Sequence, residues 1–135
     1  MAKHTKITTV WKSGQAFTSH KGDHSIELDG HGFNPKALLL TSLASCSGID
    51  VVLILEKMKV PFADLQIDAG AEQTETDPKV FQDIMMYFRI KTGEENRDKV
   101  KRAIDLSLDK YCGVAAMLRK NSKIDYTLEI VPEEV

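Results

Sequence analysis

Cysteine is scarce in this sequence: Cys46 and Cys112 are the two, far apart and in no CxxC pair. That excludes a disulfide-stapled scaffold and a thioredoxin-like dithiol motif, and leaves inert core thiols or redox groups. Excess charge is missing too. Eighteen Lys and Arg against 20 Asp and Glu give a formal net charge of −2, with the basic residues spread among acidic ones. No nucleic-acid surface is expected from that pattern. The sequence has no glycine-rich phosphate loop, no nucleophile elbow, no repeat, no linker and no low-complexity segment. Its N-terminal stretch, MAKHTKITTVWK, lacks the apolar run of a signal peptide, so a cytoplasmic location is expected. His4, His20, His24 and His31 fall early in the chain with a spacing that fits no metal motif. They read as solvent-facing strand and loop residues, and neither a metal nor another cofactor is expected. Trp11, Tyr87, Phe88 and Tyr111 read as core or pocket lining rather than a cofactor stack.

What the sequence does have is one long apolar run, NPKALLLTSLASCSGIDVVLILEKMK, from Asn34 to Lys59. Asn34 is a helix-capping residue, and Pro35 suits the first helical position. Lys57 and Lys59 suit a helix C-terminus, and Pro61 stops the run. A helix apolar on every side is buried on every side or lies in a membrane. Thr41, Ser42, Ser45, Ser47 and Asp50 argue against hydrocarbon, where Asp50 above all is costly. The expectation is therefore a core helix, not a membrane span. About 25 residues at 1.5 Å each make roughly 37 Å of apolar helix, hard to cover within one chain of 135 residues. A homodimer with two such helices near its centre solves that problem.

Residues 5–29 read as a strand meander: TKITTVW, QAFTSH, and His24 to Leu28. Asp29-Gly30-His31-Gly32 is the loop into the long helix. After Pro61, FADLQIDAGAEQTE comes close to alternation, Thr76-Asp77-Pro78 turns, and VFQDIMMYFRIKT returns. The period slips at Ile84-Met85-Met86, where a bulge or a strand buried on both faces is expected. Glu94 to Lys110 has helical spacing, with Val100, Ile104 and Leu108 along one stripe and Ala103 and Leu106 beside it. A second short helix, Val114 to Lys120, is capped by Asn121, and IDYTLEIV closes as a strand. The order βββ-α-ββ-α-α-β is α+β, and residues 1–135 read as a single domain.

Cys46 has Ser42 and Asp50 four residues to either side, on one helix face. Both cysteines have small neighbours, Ala44-Ser45-Cys46-Ser47-Gly48 and Cys112-Gly113-Val114-Ala115-Ala116. Such surroundings suit a packed helix junction, with two buried structural thiols. They also suit close approach of a substrate to a peroxide-reducing pair, whose chemistry runs through sulfenic acid to a disulfide.

Asn34-Pro35-Lys36-Ala37-Leu38-Leu39-Leu40, ending in Ala44-Ser45-Cys46, resembles the central helix of the OsmC/Ohr family. Lys110 to Leu118 resembles that family's second cysteine motif, and the element order agrees along essentially the whole chain. Cys46 to Val52 resembles the YhfA-like branch. The resemblance implies an intertwined homodimer and thiol-dependent reduction of organic hydroperoxides by a thiol or dithiol reductant. By motif position, Cys46 is the peroxidatic thiol and Cys112 the resolving one. The sequence departs from the family's peroxidases at two places. Lys36 stands where they have a glutamate, and no arginine precedes Arg89, whereas they carry one in the N-terminal strands. A buried thiol without a cation is disfavoured as thiolate. Ten residues of helix, about 15 Å, separate Lys36 from Cys46 of its own chain. Lys36 therefore either serves the partner's thiol or is a solvated first-turn lysine. Asp50 either disfavours the Cys46 thiolate or accepts a hydrogen bond from backbone or hydroxyl groups across the dimer. Two functions stay open: a cysteine hydroperoxide reductase, and a non-catalytic member that binds an apolar ligand at the dimer interface.

Overall fold

The structure, a computed structural model, describes residues 2–132. The chain divides into two compact units, one running to Leu39 and one starting at Leu40. The chain is α+β, and each unit carries one three-stranded sheet.

The first unit is an antiparallel meander of β1 (Thr8–Ser13), β2 (Ala16–Lys21) and β3 (His24–Leu28). Its tight turns place Gly14 at φ +52 and Gly22 at φ +58, a region that glycine enters without steric cost. Trp11 was expected in the core or lining a pocket. It is instead 62% exposed, its Nε1 donating to the Gly14 carbonyl at 2.9 Å. Val10, Ile26 and Phe33 are exposed as well, and of the described residues here only Thr18 is buried. After β3, Asp29 Oδ1 accepts from the backbone N–H groups of His31 and Gly32. Asn34 Oδ1 then accepts from Ala37 N at 2.8 Å and so satisfies a donor of the first helical turn.

That turn opens α1 (Pro35–Lys57), which begins in the first unit and continues through the second. Past its end, Lys59 adopts a left-handed conformation and Val60 N donates to the Leu55 carbonyl, closing the helix ahead of Pro61. The helix is not buried on all sides. It buries a stripe of Leu43, Ser47, Val51 and Leu55, while Leu39, Ile49 and Leu53 remain exposed. α1 passes the length and hydropathy test for a membrane span, but its buried stripe packs into a protein core.

The second unit adds β4 (Ala63–Gln73), β5 (Phe81–Lys91), α2 (Arg97–Leu106), α3 (Gly113–Leu118) and β6 (Ile124–Val131). Its sheet runs β4-β5-β6, antiparallel between the first two and parallel between the last two. A parallel pair needs a long crossover, which α2 and α3 supply. No bulge occurs at Ile84-Met85-Met86: these residues pair in unbroken register with Ala71, Gly70 and Ala69. Ile84, Met86, Phe88 and Ile90 are buried, and Met85 between them is 52% exposed. The sequence slip is thus one apolar residue on the outer face. The register shifts of this pair lie at the two ends of β4 instead.

The crossover also departs from the expected single helix over Glu94–Lys110. It starts as a 3-10 turn at Glu94–Asn96, becomes α2, and widens into a π turn over Ser107–Tyr111. Val100, Ala103, Ile104 and Leu108 still face the core. Tyr111, expected in the core or lining a pocket, is 53% exposed at the edge of this turn. Asn121 lies beyond α3, where its Nδ2 donates to the Phe81 carbonyl and ties the crossover to β5.

Candidate functional site

The second unit brings both cysteines to one place. Cys46 sits mid-way along α1 and is half-buried, while Cys112 follows the π turn and is 3% exposed. Neither is in a disulfide, and the Cys46 side chain is near enough to Cys112 to act on its ionisation. Cys112 takes an extended backbone conformation that starts α3, and its Sγ accepts from Ala115 N at 3.4 Å.

Burial, first of all, pushes the Cys112 thiol up from its ordinary 9.0 to about 11, because the interior disfavours the anion. The Ala115 N–H pulls the other way, and the Cys46 side chain and the Asp50 charge add to the rise. At neutral pH Cys112 is therefore a thiol with a proton to give. The sign of the stability effect follows. A group protonated more readily in the native chain stabilises it fully below its unfolded pKa, and that gain is lost as pH rises toward the folded one. The melting temperature should fall between about pH 9 and about pH 11, and fall less steeply in Cys112→Ser. Parallel thermal melts of the two reduced proteins check this.

Asp50 belongs to the same group. Its Oδ2 accepts from Ser107 Oγ at 3.0 Å, and the Ser107 hydroxyl also lies 3.0 Å from Ser47 Oγ. The hydroxyl comes from the same chain, not from across a dimer. Ser47 and Ser107 are fully buried, where a hydroxyl needs a hydrogen-bond partner. Sequence reading missed both serines. It singled out Ser42, four residues before Cys46, whereas Ser42 is exposed and Ser47 is the buried hydroxyl. Lys36 lies in the first turn of α1, in the other unit. The four histidines are all exposed.

Gly48, two residues past Cys46, is where α1 approaches β4: a Cβ there would lie 3.0 Å from Ile67 Cδ1. Beside it runs an apolar groove of about 520 Å³ lined by Ala44, Ile49, Val52, Leu53, Leu65 and Ile67 among others.

Comparison with known proteins places the chain. A family model described as OsmC-like protein matches residues 28–127. Protein YhfA of Escherichia coli K12 is 36% identical over 127 residues, covering 90% of this chain and 94% of YhfA. The crystal structure of a hypothetical protein from Aquifex aeolicus superposes with a TM-score of 0.86 at 31% identity, over 98% of this chain and 100% of that one. The organic hydroperoxide resistance protein OhrB of Bacillus subtilis superposes with a TM-score of 0.65, over 94% of this chain and 98% of OhrB. At 17% identity that last likeness is one of fold alone. By the family model and by its identity to YhfA, the chain belongs to the OsmC-like protein family.

Proposed function

We propose that this protein reduces organic hydroperoxides with Cys46 and Cys112, working as a homodimer in the cytoplasm. The observation that carries the reading is the pairing of the two thiols within one chain, with unequal surroundings. Cys46, half-exposed on α1, is the sulfur a substrate can reach. Cys112, buried and protonated, is the one held in reserve.

The chemistry balances in three steps. The Cys46 thiolate attacks one peroxide oxygen and the O–O bond breaks, giving Cys46 sulfenic acid and an alkoxide that takes up a proton as the alcohol. The Cys112 sulfur then attacks Cys46, its proton leaves with the hydroxide as water, and a disulfide closes. A thiol or dithiol reductant returns both cysteines to thiols. The apolar groove that runs along α1, closed over by a second copy, would favour alkyl or lipid hydroperoxides over hydrogen peroxide. The solved structure of OhrB, titled an organic hydroperoxide resistance protein, shares the fold and supports this reading.

Dimerisation is supported by the face that one chain leaves uncovered. Ile49 and Leu53 on α1, which line the groove, are 62% and 52% exposed, and apolar patches of this kind favour association. A second copy, which carries the same patch, can cover both faces around a two-fold axis. Sedimentation equilibrium of the intact chain should give twice the chain mass, and a monomer at micromolar concentration would sink this part of the proposal.

The test of the activity is the rate of Cys46 with cumene hydroperoxide in a Cys112→Ser background. Scanned from about pH 5 to about pH 9, it brackets the ordinary cysteine pKa of about 8.5. A fast reaction that persists well below that value supports the peroxidase. A slow one that rises only above it sinks the reading. A second reading then takes over: a non-catalytic protein that binds a fatty acid or similar apolar molecule. The observation favouring it is a cavity of about 510 Å³ in the first unit, lined by Phe17, Ile26, Leu28, Pro35 and Leu38 among others.

A further inference from the structure

Ser107 is bonded on two sides. Its hydroxyl has one proton and three acceptors nearby: Asp50 Oδ2 at 3.0 Å, Ser47 Oγ at 3.0 Å and the Ser47 carbonyl at 3.4 Å. A carboxylate is the strongest acceptor of the three, so the proton is directed chiefly to Asp50. The backbone carbonyl of Ser107 meanwhile accepts from Cys112 N at 2.7 Å, five residues on. That bond closes the π turn. The Asp50 carboxylate on α1 is thus joined through one residue to the backbone of Cys112, and Asp50 shares its helix face with Cys46.

Two features say this linkage is more than general packing. A π turn interrupts the regular helical ladder and is found frequently at functional sites, and here it spans Ser107–Tyr111, immediately before the second thiol. The residues that hold it are also polar where the neighbouring core is apolar. Ser47 and Ser107 are 0% exposed among Leu43, Val51, Ala103 and Ile104, and an apolar pair would fill the same space without any demand for hydrogen bonds.

We propose that Asp50 is a positioning residue: through Ser107 it fixes the π turn that carries Cys112, and so sets how readily the two sulfurs join. This rests on the reading that Cys46 and Cys112 act as a pair, but not on what oxidises them. Asp50 touches no reacting atom in this scheme. It acts by anchoring Ser107 to α1, the element that carries Cys46.

The test therefore uses an oxidant other than a hydroperoxide. In a glutathione redox buffer, the Cys46 thiolate attacks oxidised glutathione and releases one reduced glutathione. The Cys112 sulfur then displaces the second, so two electrons pass from the protein to the glutathione couple. Acid quenching and thiol alkylation count the dithiol, the mixed disulfide and the closed disulfide at equilibrium. The wild-type chain should close readily. Asp50→Ala and Ser107→Ala should each lower the closing equilibrium by about tenfold or more, a shift of about 30 mV in a two-electron couple. Asp50→Asn keeps an oxygen that accepts from Ser107, and should stay within about threefold of wild type, which is about 14 mV on the same scale. Ser107→Ala takes one oxygen from a helical segment where alanine is well tolerated, so it decides the matter should Asp50→Ala not fold.

The proposal is overturned if Ser107→Ala closes as readily as wild type, if Asp50→Asn is as impaired as the alanine variants, or if the wild-type chain forms no disulfide. Closure that responds to these variants in a protein inert to cumene hydroperoxide would sink the peroxidase and leave the positioning role standing. A wild-type protein that consumes hydroperoxide but never closes a disulfide would sink the positioning role together with the resolving step, and leave only the attack by Cys46 standing.

Discussion

Replacing Cys46 by serine should take hydroperoxide turnover down to the uncatalysed background, whereas Cys112→Ser should react only until its Cys46 is over-oxidised to sulfinic acid, and then stop. The contrast follows from the places of the two sulfurs. A serine hydroxyl does not ionise near neutral pH, so Cys46→Ser removes the nucleophile outright. The same change at Cys112, which is 3% exposed, leaves the reachable sulfur in place and removes the group that would resolve its sulfenic acid. Unresolved sulfenic acid goes on to sulfinic acid, which ordinary thiols do not reduce. Mass spectrometry of the two variants after a few equivalents of cumene hydroperoxide separates the roles. Cys46→Ser should show no oxygen added at Cys112. Cys112→Ser should show two oxygens on Cys46. Turnover by Cys46→Ser at the wild-type rate would end the proposed mechanism, and an unoxidised Cys46 in Cys112→Ser would end it equally.

Parts of this site were legible in the sequence, and the boundary between legible and hidden has a physical reason. The strand IDYTLEIV coincides with β6, and the α1 run was bounded by its own cap and its own proline, because those signals are local. Cys46 and Cys112 stood out by rarity and by resemblance to a family motif. Ser107 carried no such signal. A serine in a helical stretch is ordinary, and its partners Ser47 and Asp50 lie on another element, brought near only by packing. The π turn was hidden for the same reason, since Val100, Ile104 and Leu108 keep one buried stripe whether or not the ladder widens after Leu106. Trp11 was misplaced because a lone tryptophan is read as core, whereas here the strand turns it outward and its indole N–H closes a turn. The outer faces of α1 and of the first sheet could not be assigned as inside or outside from one chain's sequence, since the answer depends on what covers them.

The second large effect belongs to β5. Phe88 is fully buried, and its ring meets Tyr126 of β6 edge-on with centroids 5.7 Å apart. Truncating a buried phenylalanine to alanine costs about 3–5 kcal/mol through lost burial and the cavity left behind. That is a large share of the roughly 5–15 kcal/mol that holds a typical domain folded. Phe88→Ala should therefore move the urea midpoint strongly downward. Met85→Ala, three residues earlier on the same strand but 52% exposed, should cost about 0.5 kcal/mol or less. The pair tests register as well as packing. A strand slipped by one residue would turn Met85 inward and Phe88 outward, and the two costs would change places. Register in turn bears on the site. β5 and β6 run parallel, Phe88 pairing with Leu128, and the crossover between them carries Ser107 and Cys112. Loosening the β5–β6 pair should therefore weaken disulfide closure along with stability, whereas Met85→Ala should leave closure in the glutathione buffer unchanged. Equal midpoints for Phe88→Ala and Met85→Ala would mean that the parallel pairing framing the crossover is misassigned.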